Sequence, residues 1–229
     1  MQTRLILALD VDDIKEVERL VIGLKEFVGY FKIGMRLFFR YGPRIVSFVK
    51  QKGGEVFLDA KLHDIPSVVE AACKIIGKMG VGMLTVHTLG GVQMMQRAAE
   101  AVKKENRETK VLGVTLLTSI DQRILKDELG IQKPVKEQVL HLAHKAQNAG
   151  LDGVVCSGEE VEILRENLGK NFLLVVPGIR IDKVEADEQK RILTPKEAIH
   201  RGASYLVVGR PILRASDPIK VARKILEEI

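Results

Sequence analysis

Cysteine occurs only twice in 229 residues, as Cys73 and Cys156, and tryptophan is absent. Two thiols cannot build a disulfide framework, and their scarcity favours a reduced, cytoplasmic setting. Neither a CxxC nor an HExxH pairing occurs, which argues against a dedicated zinc site. Aromatic side chains make up 4% of the chain and offer few faces for stacking bases. No apolar run approaches the ~20 residues of a membrane-spanning helix. The opening MQTRLILALDVDD turns acidic too early for a secretory signal and is expected not to be one. Low-complexity stretches and Ser/Gly/Pro-rich linkers are missing too, so disorder and a bead-like domain string are both disfavoured. The charge balance, 36 basic against 30 acidic residues, leaves +6. The basic residues are scattered, with Lys103-Lys104 and Lys190-Arg191 the notable pairs. Such a chain attracts small anions, including phosphorylated substrates, more readily than nucleic acid.

What is present is an alternation. Short apolar runs recur at 4–9, 30–34, 55–62, 83–87, 110–117, 153–157, 172–178 and 205–209. Their brevity and β-branched content predict buried strands. The segments between them carry helical periodicity; DIKEVERLVIGLKEF places Val17, Leu20, Val21 and Leu24 on one face. Asp13, with Glu16 three residues on, predicts a capping box for that helix. Eight strand–helix units in this length predict a single α/β domain over 1–229, folded as a (β/α)8 barrel. A doubly wound open sheet is the rival, but the first strand runs into DVDD where that fold expects GxGxxG.

A barrel places catalytic groups at the C-terminal ends of its strands, with phosphate after strands 7 and 8. In FLDAKLHDIP (57–66), residues two apart in a strand share a side, so Asp59 and Lys61 point together into the barrel, with Asp64 just beyond. Two carboxylates around an ammonium keep it protonated and make it a proton donor. The alternative is an internal salt bridge, but buried pairs contribute little net stability. Lys32 interrupts the apolar run YFKIG and needs either a partner or a route to solvent. With Asp13 as cap, Asp10 is free to join Lys32, Asp59, Lys61 and Asp64 in an alternating-charge array. Gly209-Arg210 and VPGIR, with Arg180, suit a phosphate. Residues 179–195 exceed ordinary loop length and read as a lid or a surface excursion. His87 is expected to be a satisfied strand-end histidine and Cys156 a buried one. Tyr41 and Phe38-Phe39 are expected to pack in the core or at an interface.

In this order LALDV, FKIG, FLDAKLHDIP, VTLLTS, VPGIR and VVGRPI resemble the orotidine 5'-phosphate decarboxylases, over residues 4–214. The resemblance implies a cofactor-free homodimeric barrel that converts orotidine 5'-phosphate to UMP and CO2. It implies that Lys61 protonates the carbanion and that Asp59 lies against the departing carboxylate. Lys32 and Asp64 would complete the charged network, with Asp64 supplied by the partner subunit. Asp10 and Lys32 would also hold ribose hydroxyls, Thr118 and Ser119 the pyrimidine, and Arg180, Gln189, Gly209 and Arg210 the phosphate end. No metal, nucleic acid or membrane is implied. The chain departs from the pattern at Val68, usually threonine, and at VHTLGG, more commonly VHASGG. The rivals are magnesium-dependent barrels with the same DxKxxD strand, such as keto-gulonate phosphate decarboxylase or hexulose phosphate synthase. A non-catalytic nucleotide- or RNA-binding barrel is the alternative from another class.

Overall fold

The structure is a computed structural model and describes residues 3–180 and 193–229. Eight strands pair in sequence order: β1 (Leu5–Ala8), β2 (Tyr30–Gly34), β3 (Val56–Leu62), β4 (Met83–His87), β5 (Lys110–Val114), β6 (Gly153–Val155), β7 (Leu173–Val176) and β8 (Tyr205–Val208). Every pairing is parallel, and β8 closes on β1 through Leu5–Leu206, Ile6–Val207 and Leu7–Val208. Around this closed barrel run α1 (Ile14–Leu24), α2 (Met35–Tyr41), α3 (Arg44–Gln51), α4 (Pro66–Lys78), α5 (Gly91–Glu105), α6 (Val135–Asn148), α7 (Val161–Leu168), α8 (Pro195–His200), α9 (Arg210–Leu213) and α10 (Pro218–Glu227). The predicted (β/α)8 barrel is therefore the observed fold.

Why the strands read as unbroken apolar runs is visible in their two faces. On β1, Ile6 and Ala8 join Tyr30, Phe57, Met83, Leu112, Val175 and Val207 inside the barrel. Leu5, Leu7 and Leu9 pack outward among the helices. Both faces are buried, so the polar alternation of a one-sided sheet never appears. Helix α1 buries Val17, Leu20, Val21 and Leu24 as its periodicity predicted, each contributing about 1.5–3 kcal/mol. Asp13 caps it by accepting the Lys15 backbone N–H, at 3.0 Å. Glu16 instead pairs with Arg19 at 3.8 Å, so the cap forms on the aspartate alone.

Several strands stop before their apolar runs do. β1 ends at Ala8, two residues short of Asp10; β5 ends at Val114 rather than Leu117; β6 ends at Val155, before Cys156. Hydrophobicity reports burial, whereas a strand needs a continuing ladder. Just past these ends single bonds still reach the neighbouring strand, from Leu9 N–H to Lys32 O, Thr115 N–H to Val155 O and Cys156 N–H to Val175 O, but the ladder does not go on. The loops that follow form the walls of a cleft.

Candidate active site

The cleft lies at the C-terminal ends of the strands and encloses about 920 Å3 of space including its open mouth. Its floor is apolar, with Ala8, Phe57, Val114, Val155 and Val207. Asp59 stands one layer above Phe57 on the inward side of β3 and is only 8% exposed. Its Oδ2 lies 2.8 Å from the Lys61 ammonium and 3.4 Å from that of Lys32. Its Oδ1 accepts the hydroxyl of buried Thr85, at 2.9 Å. Lys32 in turn lies 3.7 Å from Asp10 Oδ1. Burial by itself would raise the Asp59 carboxyl, but the charges of Lys32 and Lys61, with hydrogen bonds from Lys61 and Thr85, hold it below the usual carboxylate range. An ionised aspartate thus sits between two ammonium groups, three of the five members of the predicted array in one contact chain with a fourth, Asp10, at its end.

The shared side of Asp59 and Lys61 is reached by a route that strand alternation does not describe. Between Leu58 and Leu62 the register of β3 against β4 shifts. Lys61 takes a φ of 47°, and it is the one non-glycine residue with positive φ among the described residues. Such a backbone costs on the order of 1–3 kcal/mol and persists where its surroundings hold it. Here the Lys61 N–H donates to Thr85 Oγ1 at 2.9 Å. Asp64 is exposed, its Oδ1 accepting the Ile65 N–H, and it does not line this chain's own cleft.

Across the mouth, Thr118, Gly178, Arg180, Gly209 and Arg210 line the opposite wall, whereas Ser119 does not reach it. Gly178 has a φ of 79°, open to glycine at no cost. Arg180 is 8% exposed; its backbone N–H donates to Leu193 O at 3.0 Å. After β8 comes the single turn α9, which begins at Arg210 itself. Gln189, and with it most of the 179–195 excursion, lies outside the described residues.

His87 behaves as a strand-end residue. Its Nδ1 accepts the Leu89 N–H at 3.3 Å, and its ring stacks on His63 with centroids 5.2 Å apart. Burial first, then the neighbouring His63 and Lys61, depress its pKa to about 4, so the ring is neutral. Cys156 is buried, and burial pushes its thiol far above the reactive range, although it borders the cleft. Phe38 packs on the core while Phe39 is 83% exposed, and the half-buried Tyr41 donates its hydroxyl to Asp12 O at 2.6 Å. Sequence reasoning passed over Thr85. Its signal was a hydroxyl on the inward side of an otherwise apolar strand, two residues before the rim.

Chemically, one wall offers an ammonium in contact with an ionised carboxylate, and the other offers arginines and glycine backbone suited to a phosphate. The family model for the orotidine 5'-phosphate decarboxylase / HUMPS family matches residues 3–225. An orotidine 5'-phosphate decarboxylase from Trichlorobacter lovleyi is 47% identical, across all of this chain and 95% of its own. One from Moorella thermoacetica is 46% identical, over 99% of this chain and 92% of its own. The crystal structure of orotidine 5'-phosphate decarboxylase from Lactobacillus acidophilus superposes with a TM-score of 0.88 at 39% identity, covering 98% of this chain and 97% of that one. With the fold, the cleft and these likenesses in agreement, the chain belongs to the orotidine 5'-phosphate decarboxylase / HUMPS family.

Proposed function

We propose that this chain is a carboxy-lyase that decarboxylates orotidine 5'-phosphate to UMP and CO2 in pyrimidine synthesis, with Lys61 as the proton donor. The observation that carries the reading is the Lys32–Asp59–Lys61 contact chain, with spacings of 3.4 and 2.8 Å, facing Arg180 and Arg210 across one cleft. Loss of CO2 from carbon 6 of the pyrimidine leaves an electron pair with no adjacent carbonyl to delocalise it. Fixed positive charge at that carbon stabilises the developing anion. Lys61 supplies that charge and then the proton that replaces CO2. Asp59 repels the substrate carboxylate until it leaves as a neutral molecule. Phosphate held by Arg180, Gln189, Gly209 and Arg210 contributes binding energy that offsets the cost of this crowding. Asp10 and Lys32 hold the ribose hydroxyls, and Thr118 and Ser119 the ring.

No cofactor takes part in this scheme, and among the described residues no three His, Cys, Asp or Glu side chains gather as a metal-ligand group. The test is a fall in ultraviolet absorbance when orotidine 5'-phosphate is added in the presence of EDTA. Activity that chelation removes, or turnover of a sugar phosphate in place of the nucleotide, would favour the magnesium-dependent relatives. Both cysteines are free and buried, which suits a reducing cytoplasm, and no described helix is long and apolar enough to cross a membrane.

The working form is read as a homodimer. Met35, Ile65, Val68 and Leu89 are 42–63% exposed after β2, β3 and β4, and large apolar side chains exposed at this end of the barrel suit a partner. Asp64 is exposed, directly precedes the exposed Ile65 and does not line its own cleft, which supports its delivery into the other subunit's cleft. Val68, in place of the usual threonine, then adds apolar contact to the interface. Lys61→Ala and Asp64→Ala homodimers, each inactive, test this when their subunits exchange. A mixed dimer has one cleft with both lesions and one with neither, so activity recovers to about a quarter of wild type. If both residues served one cleft of one chain, mixing would restore nothing.

A further inference from the structure

We propose that Thr85 is a positioning residue for decarboxylation, its single hydroxyl locking both the Asp59 carboxylate and the backbone of Lys61. The inference rests on the reading of Asp59 and Lys61 as the reacting pair, and it extends that reading to a side chain that touches neither substrate nor cleft. Thr85 lies on the inward face of β4 and is fully buried. Its Oγ1 accepts the Lys61 N–H at 2.9 Å and donates its proton to Asp59 Oδ1 at 2.9 Å. With Oδ1 engaged, the carboxylate turns Oδ2 toward both ammonium groups. The same oxygen holds Lys61 where β3 slips against β4 and φ reaches 47°. A strained residue at the reacting end of a strand stays in place only when an outside contact fixes it, and the Thr85 hydroxyl meets both partners at once.

An apolar residue of the same shape removes both bonds together. The buried carboxylate then loses a donor, and the Lys61 N–H loses its acceptor, each a costly deficit in a dry site. The groups facing Asp59 are Lys32 from β2, Lys61 from β3 and the Thr85 hydroxyl from β4. Asp10 acts at one remove through Lys32, and His87, at the end of β4, feels the charge of Lys61. Of these, the variant changes only the hydroxyl.

The test compares Thr85→Ser with Thr85→Val, measuring kcat, KM and the acid limb of kcat against pH. Thr85→Ser keeps the oxygen and is expected to stay within about threefold of wild type. Thr85→Val is expected to lose roughly 10–100-fold in kcat with little change in KM, because the phosphate wall is untouched. Its acid limb moves to higher pH as Asp59 loses a bond that favours the ionised form. Should Thr85→Val fail to fold, Thr85→Ser against Thr85→Ala makes the same comparison across one oxygen atom. Equal kcat in the paired variants, or an acid limb that stays in place, overturns the proposal. Lys61→Ala is assayed alongside. If it remains active, the underlying site reading fails; if it is dead while the Thr85 variants are silent, only the role of Thr85 fails.

Discussion

On the β1–β4 side of the cleft, Lys32, Asp59 and Lys61 are already in mutual contact, and Thr85 ties the carboxylate to the backbone of the lysine beside it. On the β7–β8 side the lining includes Pro177, Gly178, Arg180, Gly209 and Arg210. The first wall is a charge arrangement assembled during folding, when desolvation is met once by burial and pairing. Its electrostatic work at the reacting carbon therefore needs no rearrangement during the reaction. The second wall is shaped for an arriving dianion, with glycine where backbone must come close and arginine where two oxygens can be gripped together. Chemistry and affinity are thus allotted to different strands, and they can be perturbed separately.

Replacing Lys61 breaks the first wall alone. Lys61→Ala is expected to lower turnover by at least about 10²–10⁴-fold, with thermal unfolding and UMP binding close to wild type. Turnover above about a tenth of wild type would remove Lys61 from its role. Arg210→Ala breaks the second wall. It is expected to weaken UMP binding and lower kcat/KM by roughly 10–100-fold, since a charge-assisted hydrogen bond is worth ~1.5–3 kcal/mol and remote binding supports the reacting end. Unchanged kinetics would move the phosphate site elsewhere.

Smaller effects sharpen the contrast through stability. Gly178→Ala forces a side chain onto a φ of 79° and is expected to cost about 1–2 kcal/mol, a fall of roughly 2–8 °C in Tm for a chain of this size. A Tm equal to wild type would show that the backbone there can relax. At the end of β4, His87 is held neutral with a pKa of about 4 against an ordinary 6.5. A depressed histidine lets the unfolded chain bind the proton first. Stability from this group is full above about pH 6.5 and is lost as pH falls toward 4. Screening at the rim reduces the loss between pH 7 and pH 5 to about 1 kcal/mol. Denaturant melts of His87→Gln should show a drop with pH smaller by that amount, and an identical drop in both proteins would sink the assignment.

Much of this was legible along the chain because it depends on local pattern. Apolar runs bounded by turns identified all eight strands, and helical spacing identified the buried face of α1. Strand-end position picked out Asp10, Lys32, Asp59, Lys61, Thr118, Arg180, Gly209 and Arg210, which line one cleft. The ends of β1, β5 and β6 were read too long, because a buried loop is as apolar as a buried strand.

Sequence alone determined the barrel, its order of strands and the types of charge at its mouth, since periodicity and residue chemistry are written position by position. Tertiary structure decided what those charges touch. The slip of β3 against β4, the left-handed Lys61 and the Thr85 hydroxyl between two residues of another strand depend on register across a gap of more than twenty residues. The outward placement of Asp64 likewise follows from how the loop after β3 leaves the barrel. Hydrogen bonds between strands are set by closure of the whole ring, and no local pattern encodes where that closure brings one side chain against another.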